Sequence, residues 1–309
     1  MASGRFAPSP TGDLHMGNLR TALVAWLAAR STGGAFLVRM EDLDRVTSSR
    51  DHERSQLDDL AALGLDWDGP VLRQSERFDH YHAAIADLTA RGLTYPCYCT
   101  RREIREAASA PHGSDGDATY PGTCRELSAS RRAELERSGR PTALRLRADG
   151  ARVGFVDRLA GAYEGAVDDV VLRRNDGVPA YNLAVVVDDA AQGIQEVVRG
   201  DDLLAVTPAQ IHLAHRLGLE PPTHLHVPLA VTPDGRRLAK RDGAVTLAER
   251  GARGDPPEVV RQVLLESLGL AGPAGRPETG ADLLERFDPG ELPRSPWAVP
   301  ERWISLYHP

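Results

Sequence analysis

Two stretches of the chain carry side chains suited to binding the phosphates of a nucleotide. The first is His15-Met16-Gly17-Asn18, which follows a Pro-Ser-Pro-Thr-Gly turn and opens a segment with helical spacing. The start of a helix favours an anion because its first backbone N–H groups have no partner within the helix. His15 adds a donor there, although a histidine at this place also suits a simple helix cap. Gly17 would let a phosphate or a flat base come close to the backbone.

The second stretch is a basic loop after the turn at Asp234-Gly235. It reads Arg236-Arg237-Leu238-Ala239-Lys240-Arg241. Such a concentration of positive charge suits a polyphosphate, but it is also typical of a solvated charged hairpin. Each stretch taken alone is therefore weak support for nucleotide chemistry, and the pair is far more specific than either part.

A third group of reactive side chains is a cysteine cluster. All three cysteines, Cys97, Cys99 and Cys124, lie in one short segment. In a chain expected to be cytoplasmic, clustered thiols favour a metal or a redox pair over a structural disulfide. A structural zinc ion takes four ligands, usually thiolate and imidazole, so His112 is a candidate fourth ligand on chemistry alone. Free reduced thiols are the alternative.

The elements that must position these groups follow from hydrophobic spacing. Residues 4–8 indicate a short buried strand, and Met16, Leu19, Leu23 and Leu27 keep helical spacing until a Gly-Gly pair. Asp13 is the predicted cap of this helix. A strand over 35–40 completes a βαβ unit.

The same rhythm of strands and helices continues, with one interruption. Helices are predicted around Leu57 to Leu63 and around Tyr81 to Leu88, which favours a parallel, Rossmann-type α/β sheet. Residues 93–175 break the pattern, and Leu144-Arg145-Leu146-Arg147 alternates like an antiparallel strand. The pattern resumes with an apolar run suited to a strand or a helix over 181–187, a segment over 197–200 and a helix over 208–217.

Four segments are therefore expected. Residues 1–92 form the first half of the catalytic α/β domain, 93–175 an insertion with the cysteine cluster, 176–250 the second half with the basic loop, and 251–309 a short helical region. In the last segment Val259, Val260, Val263, Leu264 and Leu268 share one predicted stripe. That region is read as a helical cover for the core.

Composition limits the classes of function. The chain has 309 residues, is 41% hydrophobic and 26% charged, and shows no apolar run of membrane-spanning length or secretory signal. A soluble, cytoplasmic protein without a membrane partner is expected. Its formal charge of −7, from 37 basic and 44 acidic residues, argues against nonspecific coating of nucleic acid.

The two phosphate-binding stretches together resemble the HIGH and KMSKS signatures of class I aminoacyl-tRNA synthetases. Blocks at 4–12, 39–45, 181–189 and 198–203 are similar to those of glutamyl-tRNA synthetases, in the order of that family and over most of the first 250 residues. The chain departs from the usual signatures at Met16, Asn18 and Arg237. These departures leave the phosphate donors in place but put the reaction rate in doubt.

The resemblance implies a set of site residues. The glutamate pocket would be lined by Arg5, Phe6, Ala7, Pro8, Ser9, Glu41, Tyr181 and Arg199. ATP, with Mg²⁺, would be bound by His15, Gly17, Asp202, Arg237 and Lys240, and His15 and Lys240 would be catalytic. The assignment is chemically consistent, since arginines bind carboxylates through charge-assisted hydrogen bonds and a carboxylate can hold an ammonium group.

The resemblance narrows further to the short paralogs that load glutamate onto the queuosine base of tRNA(Asp). Those paralogs hold one structural zinc ion with a Cys-x-Cys pair, a tyrosine and a third cysteine, which match Cys97, Cys99, Tyr120 and Cys124. The segment after Lys240 is also too short for a large anticodon-binding region. The implied partners are L-glutamate and queuosine-containing tRNA(Asp), and a monomer is expected.

Three alternatives remain open from sequence. A truncated or two-subunit glutamyl-tRNA synthetase would charge tRNA(Glu). A non-catalytic paralog would sense glutamate or ATP without transferring anything. A structural tRNA-binding protein fits least well because it would have no use for a glutamate pocket.

Overall fold

A parallel sheet opens with the predicted βαβ unit. The computed structural model describes residues 2–100, 102–104, 120–236, 238, 246–272 and 280–304. Strand β1 (Gly4–Phe6) leads into helix α1 (Met16–Ser31), and β2 (Phe36–Met40) pairs in parallel with β1. Gly33 turns the chain at φ 69°, a backbone conformation that side chains disfavour. The local periodicity therefore produced the unit that it predicted.

The remaining elements alternate between strand and helix except for four successive strands over 143–173, the two over 223–231 and the helices near the C-terminus. The first half continues with α2 (Arg50–Ala62), β3 (Leu72–Arg73), α3 (Phe78–Ala90), β4 (Thr94–Cys97), α4 (Ala129–Arg137), β5 (Ala143–Leu146), β6 (Arg152–Asp157), β7 (Gly161–Ala166) and β8 (Val171–Arg173). The second half contains α5 (Tyr181–Ala191), β9 (Glu196–Gly200), α6 (Thr207–Arg216), β10 (Thr223–Val227), β11 (Ala230–Val231), α7 (Leu247–Ala252), α8 (Pro257–Ser267), α9 (Gly280–Arg286) and β12 (Trp297–Ala298). The apolar run over 181–187, ambiguous in sequence, belongs to helix α5.

Seven strands form the large sheet, in the order β3-β2-β1-β9-β10-β6-β7. All neighbouring strands are parallel except β6 and β7, which form an antiparallel hairpin. One hydrophobic cluster is built around α1, and a second contains residues of α3, α5 and α6. The α/β class with a parallel sheet, predicted from the alternation of elements, is confirmed.

A second, three-stranded antiparallel sheet carries the cysteine cluster. Its order is β4-β5-β8, and β5 contains the predicted antiparallel strand Leu144 to Leu146. The hairpin of β6 and β7 lies in the segment 93–175 but pairs with β10 of the large sheet. The proposed insertion therefore includes a hairpin that extends the main sheet.

The C-terminal helices pack against α1, as a helical cover would. Val260 and Leu264 of α8 are buried, and both α8 and α9 contact α1. Val259, by contrast, is exposed, so the predicted apolar stripe is wrong at that position. None of the helices within the described ranges has the length and apolar character needed to cross a membrane.

Candidate active site and metal centre

An open cavity of about 600 Å³ lies where the carboxyl ends of β1 and β9 meet the start of α1. Ligands of open parallel sheets bind at this edge, where neighbouring strands and their loops diverge. The structure brings together all the described residues of the predicted glutamate and ATP sites at its wall. They are Arg5, Phe6, Ala7, Pro8, Ser9, His15, Gly17, Glu41, Tyr181, Arg199 and Asp202.

Arg5 is fixed in the cavity wall by a buried ion pair. Its guanidinium contacts both carboxylate oxygens of Asp189, at 3.1 and 3.4 Å, and donates to the Val198 carbonyl. Asp189 also accepts from Arg39 at 2.7 Å. Although burial opposes ionisation, Arg39 and Arg5 hold the pKa of Asp189 below its ordinary value. One buried carboxylate thus positions two arginines.

Glu41 is a half-buried carboxyl group beside the same arginines. It accepts from Arg39 at 3.3 Å, yet burial raises its pKa above the ordinary range. Burial, together with the charge of Glu41, also raises the pKa of Tyr181. A bound ammonium group near Glu41 would offset this burial cost, because an adjacent positive charge favours the ionised carboxylate.

Arg199 is a buried cation whose hydrogen-bond partners are all neutral. Its guanidinium donates to His226 at 3.1 Å, and it also donates to Gln210 Oε1 and Thr207 Oγ1, each at 2.7 Å, and to the Leu203 carbonyl at 3.5 Å. Within the described part of the chain no carboxylate forms an ion pair with it. Burial lowers its pKa. A buried cation in a cavity wall that is not paired with a carboxylate attracts an anionic ligand.

At the start of α1 the structure selects one of the two caps that the sequence offered. His15, and not Asp13, is the N-cap: its Nδ1 accepts from the backbone N–H groups of Gly17 and Asn18, at 3.1 and 3.3 Å. Asp13 instead accepts from Ser55 of α2 at 2.8 Å. The ring therefore accepts hydrogen bonds from two backbone N–H groups that were expected to bind a phosphate. Because Nδ1 is an acceptor, the proton of the neutral ring resides on Nε2.

Gly17 has a local packing role as well. A Cβ at this position would lie 3.1 Å from the His15 ring and 3.2 Å from the Ala230 side chain. Both distances are shorter than ordinary carbon contacts. A larger residue would therefore crowd the capping histidine by a few tenths of an ångström, so glycine suits this position apart from any approach of a ligand.

The basic loop begins at the rim of the cavity. Asp234 and Gly235 form the predicted turn, Arg236 donates to Asp234 at 2.7 Å, and the buried Leu238 lines the cavity. The two proposed phosphate ligands, Arg237 and Lys240, lie outside the described residues, as does His112.

The structure adds positioning residues that local patterns did not reveal. Gln56 of α2 donates from one amide nitrogen to the Ser9 and Gly12 carbonyls, at 3.1 and 2.7 Å, and so secures the loop after β1. Asp189 and His226 hold the two site arginines. For Asp189 the available signal in the sequence was a pair of adjacent acidic residues, Asp188 and Asp189, after an apolar run.

The three cysteines and Tyr120 converge on one point. The three Sγ atoms lie within 4.8 Å of one another, and Cys99 and Cys124 are 3.5 Å apart. The Tyr120 hydroxyl lies 3.4 Å from Cys97 Sγ and 3.9 Å from Cys99 Sγ. Around a tetrahedral zinc ion, neighbouring sulfur atoms would be about 3.8 Å apart, and a sulfur and an oxygen about 3.5 Å apart. The donor set therefore fits zinc.

The surroundings of this cluster suit thiolates. The backbone N–H of Tyr98 donates to Cys124 Sγ at 3.4 Å, and the guanidinium of Arg145 lies 3.8 Å from the centre of the Tyr120 ring. The hydrogen bond between Cys124 and Cys97 lowers the pKa of Cys97 and raises that of Cys124. One thiol thus ionises readily, which is the form that metal binding requires.

The family model described as "tRNA synthetases class I (E and Q), catalytic domain" matches residues 2–278. Among curated proteins, the glutamyl-Q tRNA(Asp) synthetase of Nocardia farcinica is 60% identical over 302 residues, which cover 98% of this chain and 94% of that protein. The protein of the same name from Symbiobacterium thermophilum is 46% identical, with 99% and 98% covered.

A solved structure has the same architecture. The glutamate-tRNA synthetase of Elizabethkingia anophelis superposes with a TM-score of 0.82 at 26% identity, over 97% of this chain and 68% of that one. The similarity therefore extends over nearly the whole of this chain, whereas about a third of the longer protein has no counterpart in it.

Proposed function

This chain belongs to the class I tRNA synthetases of the glutamate and glutamine type, and within them to the glutamyl-Q tRNA(Asp) synthetases, and from that premise we propose how its residues act. The protein activates L-glutamate with ATP and transfers the glutamyl group to the queuosine base of tRNA(Asp). Arg199 carries this proposal: it is a buried cation in the cavity wall, held by neutral partners alone among the described residues.

The carboxylate and ammonium groups of glutamate are complementary in charge to Arg199 and Glu41 of the cavity wall. One of its carboxylates would pair with Arg199 through a charge-assisted hydrogen bond, which replaces the hydrogen bond of that carboxylate to water. Its ammonium group would lie against Glu41, whose raised pKa reflects burial that a bound cation offsets. Tyr181 and Arg5 complete the wall around the amino acid.

Activation joins two bound substrates without a protein nucleophile. An oxygen of the glutamate α-carboxylate attacks the α-phosphorus of ATP, the bond to the leaving pyrophosphate breaks, and glutamyl-adenylate forms. Mg²⁺ bound to ATP would supply charge neutralisation at the phosphates. His15 would donate from Nε2, since its Nδ1 accepts from the helix, and Lys240 would bind the phosphates.

Transfer then uses the mixed anhydride. A hydroxyl oxygen of the queuosine ring attacks the activated carbonyl carbon, its proton is released, and AMP leaves. The expected products are AMP and a glutamyl ester on the modified base. Holding the hydroxyl next to the carbonyl supplies most of the catalysis in a step of this kind.

Cys97, Cys99, Cys124 and Tyr120 are proposed to hold a structural zinc ion. Zinc would cross-link β4 to the segment around Tyr120 and Cys124, and so stabilise the small sheet. The ion has no part in the chemical steps.

Glutamate-dependent exchange of labelled pyrophosphate into ATP tests the activation step. We expect exchange with L-glutamate in the absence of any tRNA, and far less with L-aspartate, whose shorter side chain cannot span the cavity. A strict requirement for tRNA, or equal exchange with aspartate, would contradict the proposed site. Absence of exchange under all conditions would instead favour a glutamate or ATP sensor.

A further inference from the structure

A buried Asp157–His226 pair contacts Arg199 through the histidine ring. Both side chains are fully buried, and His226 Nδ1 is 2.6 Å from Asp157 Oδ2. The other ring nitrogen, Nε2, is 3.1 Å from Arg199 Nε. Asp157 ends β6 and His226 lies in β10, so the two meet only because these strands are neighbours in the large sheet.

Asp157 is held in its ionised form by several donors. Its carboxylate accepts from the backbone N–H groups of Leu159, Ala160 and His226, at distances of 2.8 to 3.3 Å. Although burial opposes ionisation, the hydrogen bond from the His226 ring keeps the pKa of Asp157 low. The aspartate therefore acts only as an acceptor towards the ring.

This arrangement fixes the tautomer of His226. A guanidinium has donors and no acceptor, so Nε2 must accept from Arg199. The ring proton then resides on Nδ1, where it is donated to Asp157. Burial lowers the pKa of His226, which favours the same neutral form. The ring thus presents a fixed neutral acceptor to the arginine.

A neutral acceptor has an electrostatic consequence for the cavity. A carboxylate in the place of the ring would orient Arg199 equally well, but it would also neutralise its charge. Gln210 and Thr207 complete a neutral set around the same guanidinium. The cation is therefore oriented without being neutralised, and its charge stays available to an anion that enters the cavity.

We propose that Asp157 and His226 are positioning residues for glutamate: they orient Arg199 through a neutral ring and leave its charge for the substrate carboxylate. This inference rests on the proposed function, because it assigns the anion to glutamate. Neither residue lines the cavity; both act through Arg199.

Pyrophosphate exchange with the full chain tests this inference through His226→Leu. Loss of the acceptor should raise the KM for glutamate about 10-fold or more, since a hydrogen bond to a charged group is removed. The KM for ATP should stay within about twofold of the unmodified protein, because the changed contact does not face the nucleotide. In His226→Gln the side-chain oxygen can accept in place of Nε2 and should restore most of the loss.

His224→Leu is the matched control. His224 is also buried in β10 and its ring stacks 5.9 Å from that of His226, but within the described part of the chain it forms no hydrogen bond with Arg199. We expect this variant to lose stability without a change in the KM for glutamate. Equal KM effects in the two leucine variants would overturn the positioning role.

The outcomes separate this inference from the proposed function. Suppose that the unmodified chain shows glutamate-dependent exchange and that His226→Leu and Asp157→Asn have the same KM for glutamate as the unmodified chain. Then only the inference fails. If His226→Leu does not fold, His226→Gln tests the inference in its place. A large rise in the KM of His226→Gln for glutamate would contradict the neutral-acceptor role. If the unmodified chain shows no exchange with glutamate, both proposals are overturned.

Discussion

Replacement of Arg199 by glutamine removes the charge on which glutamate binding is proposed to depend. A hydrogen bond to a charged group is worth about 1.5 to 3 kcal/mol, and about 1.4 kcal/mol corresponds to a factor of ten. The KM for glutamate should therefore rise by about 10-fold to 150-fold. The KM for ATP should change little, because the guanidinium is bound by Gln210, Thr207 and His226 on the amino-acid side of the cavity.

The same substitution has a cost in stability that must be measured separately. It leaves the buried acceptors Gln210 Oε1, Thr207 Oγ1 and His226 Nε2 without their shared donor. An unsatisfied buried acceptor costs about 1 to 3 kcal/mol. Urea unfolding of the variant gives this loss, and exchange kinetics are then measured where the variant is fully folded.

Arg20→Gln is the matched control for burial. Arg20 is also fully buried, donates to the Pro228 carbonyl and to Ser267, and has its pKa lowered to about 10 by burial, but it does not line the cavity. This variant should lose stability and keep its KM for glutamate. The reasoning is refuted if folded Arg199→Gln retains a glutamate KM within about twofold of the unmodified protein, or if Arg20→Gln raises it equally.

Three further outcomes are expected. Cys97→Ser should lower the zinc content measured by atomic absorption, together with thermal stability, because a thiolate ligand is lost; unchanged zinc stoichiometry would count against the proposed centre. Glu41→Gln should raise the KM for glutamate about 10-fold without affecting that for ATP, and an unchanged value would remove Glu41 from the ammonium site. Burial lowers the pKa of His224 from 6.5 to about 3, so between these values the unfolded chain binds a proton that the native one does not. Stability should therefore fall by about 1 kcal/mol from pH 7 to 5.5 through this group, and urea unfolding should show a flatter pH dependence for His224→Leu.

Local sequence patterns predicted β1, α1 and β2 beside the cavity but left 181–187, now helix α5, open between strand and helix. The spacing of Met16, Leu19, Leu23 and Leu27 predicted α1, although in the structure the helix is buried on nearly all sides and not along this stripe alone. The sequence offered two caps near the helix start, Asp13 and His15; the helix begins directly after His15, and Asp13 contacts Ser55 of another helix instead. Local propensity cannot rank such candidates when a tertiary contact decides between them.

The predicted site residues came together, but their supports were not foreseen. Arg199 and Glu41 face one cavity as the resemblance implied, and their roles in glutamate binding stay predictions. Asp157 and His226 are separated by 69 positions, so no periodic pattern relates them. Their contact depends on the hairpin of β6 and β7 joining the large sheet, which the sequence did not indicate.

For the zinc centre, by contrast, the sequence already indicated most of the proposed ligands. Cys97, Cys99 and Cys124 were obvious from sequence, and the structure places their sulfur atoms within 4.8 Å of one another. Tyr120 came from resemblance alone, since tyrosine is an uncommon ligand, yet its hydroxyl lies at ligand spacing from two of the sulfur atoms. Metal occupancy stays a prediction.

Transfer of radiolabelled glutamate to tRNA tests the central claim most directly. Purified protein and ATP are incubated in parallel with queuosine-containing tRNA(Asp), queuosine-free tRNA(Asp) and tRNA(Glu). We expect label only on the queuosine-containing tRNA(Asp). Label on tRNA(Glu), or on tRNA(Asp) without queuosine, would contradict the proposed acceptor and identify a synthetase that charges the 3′ end.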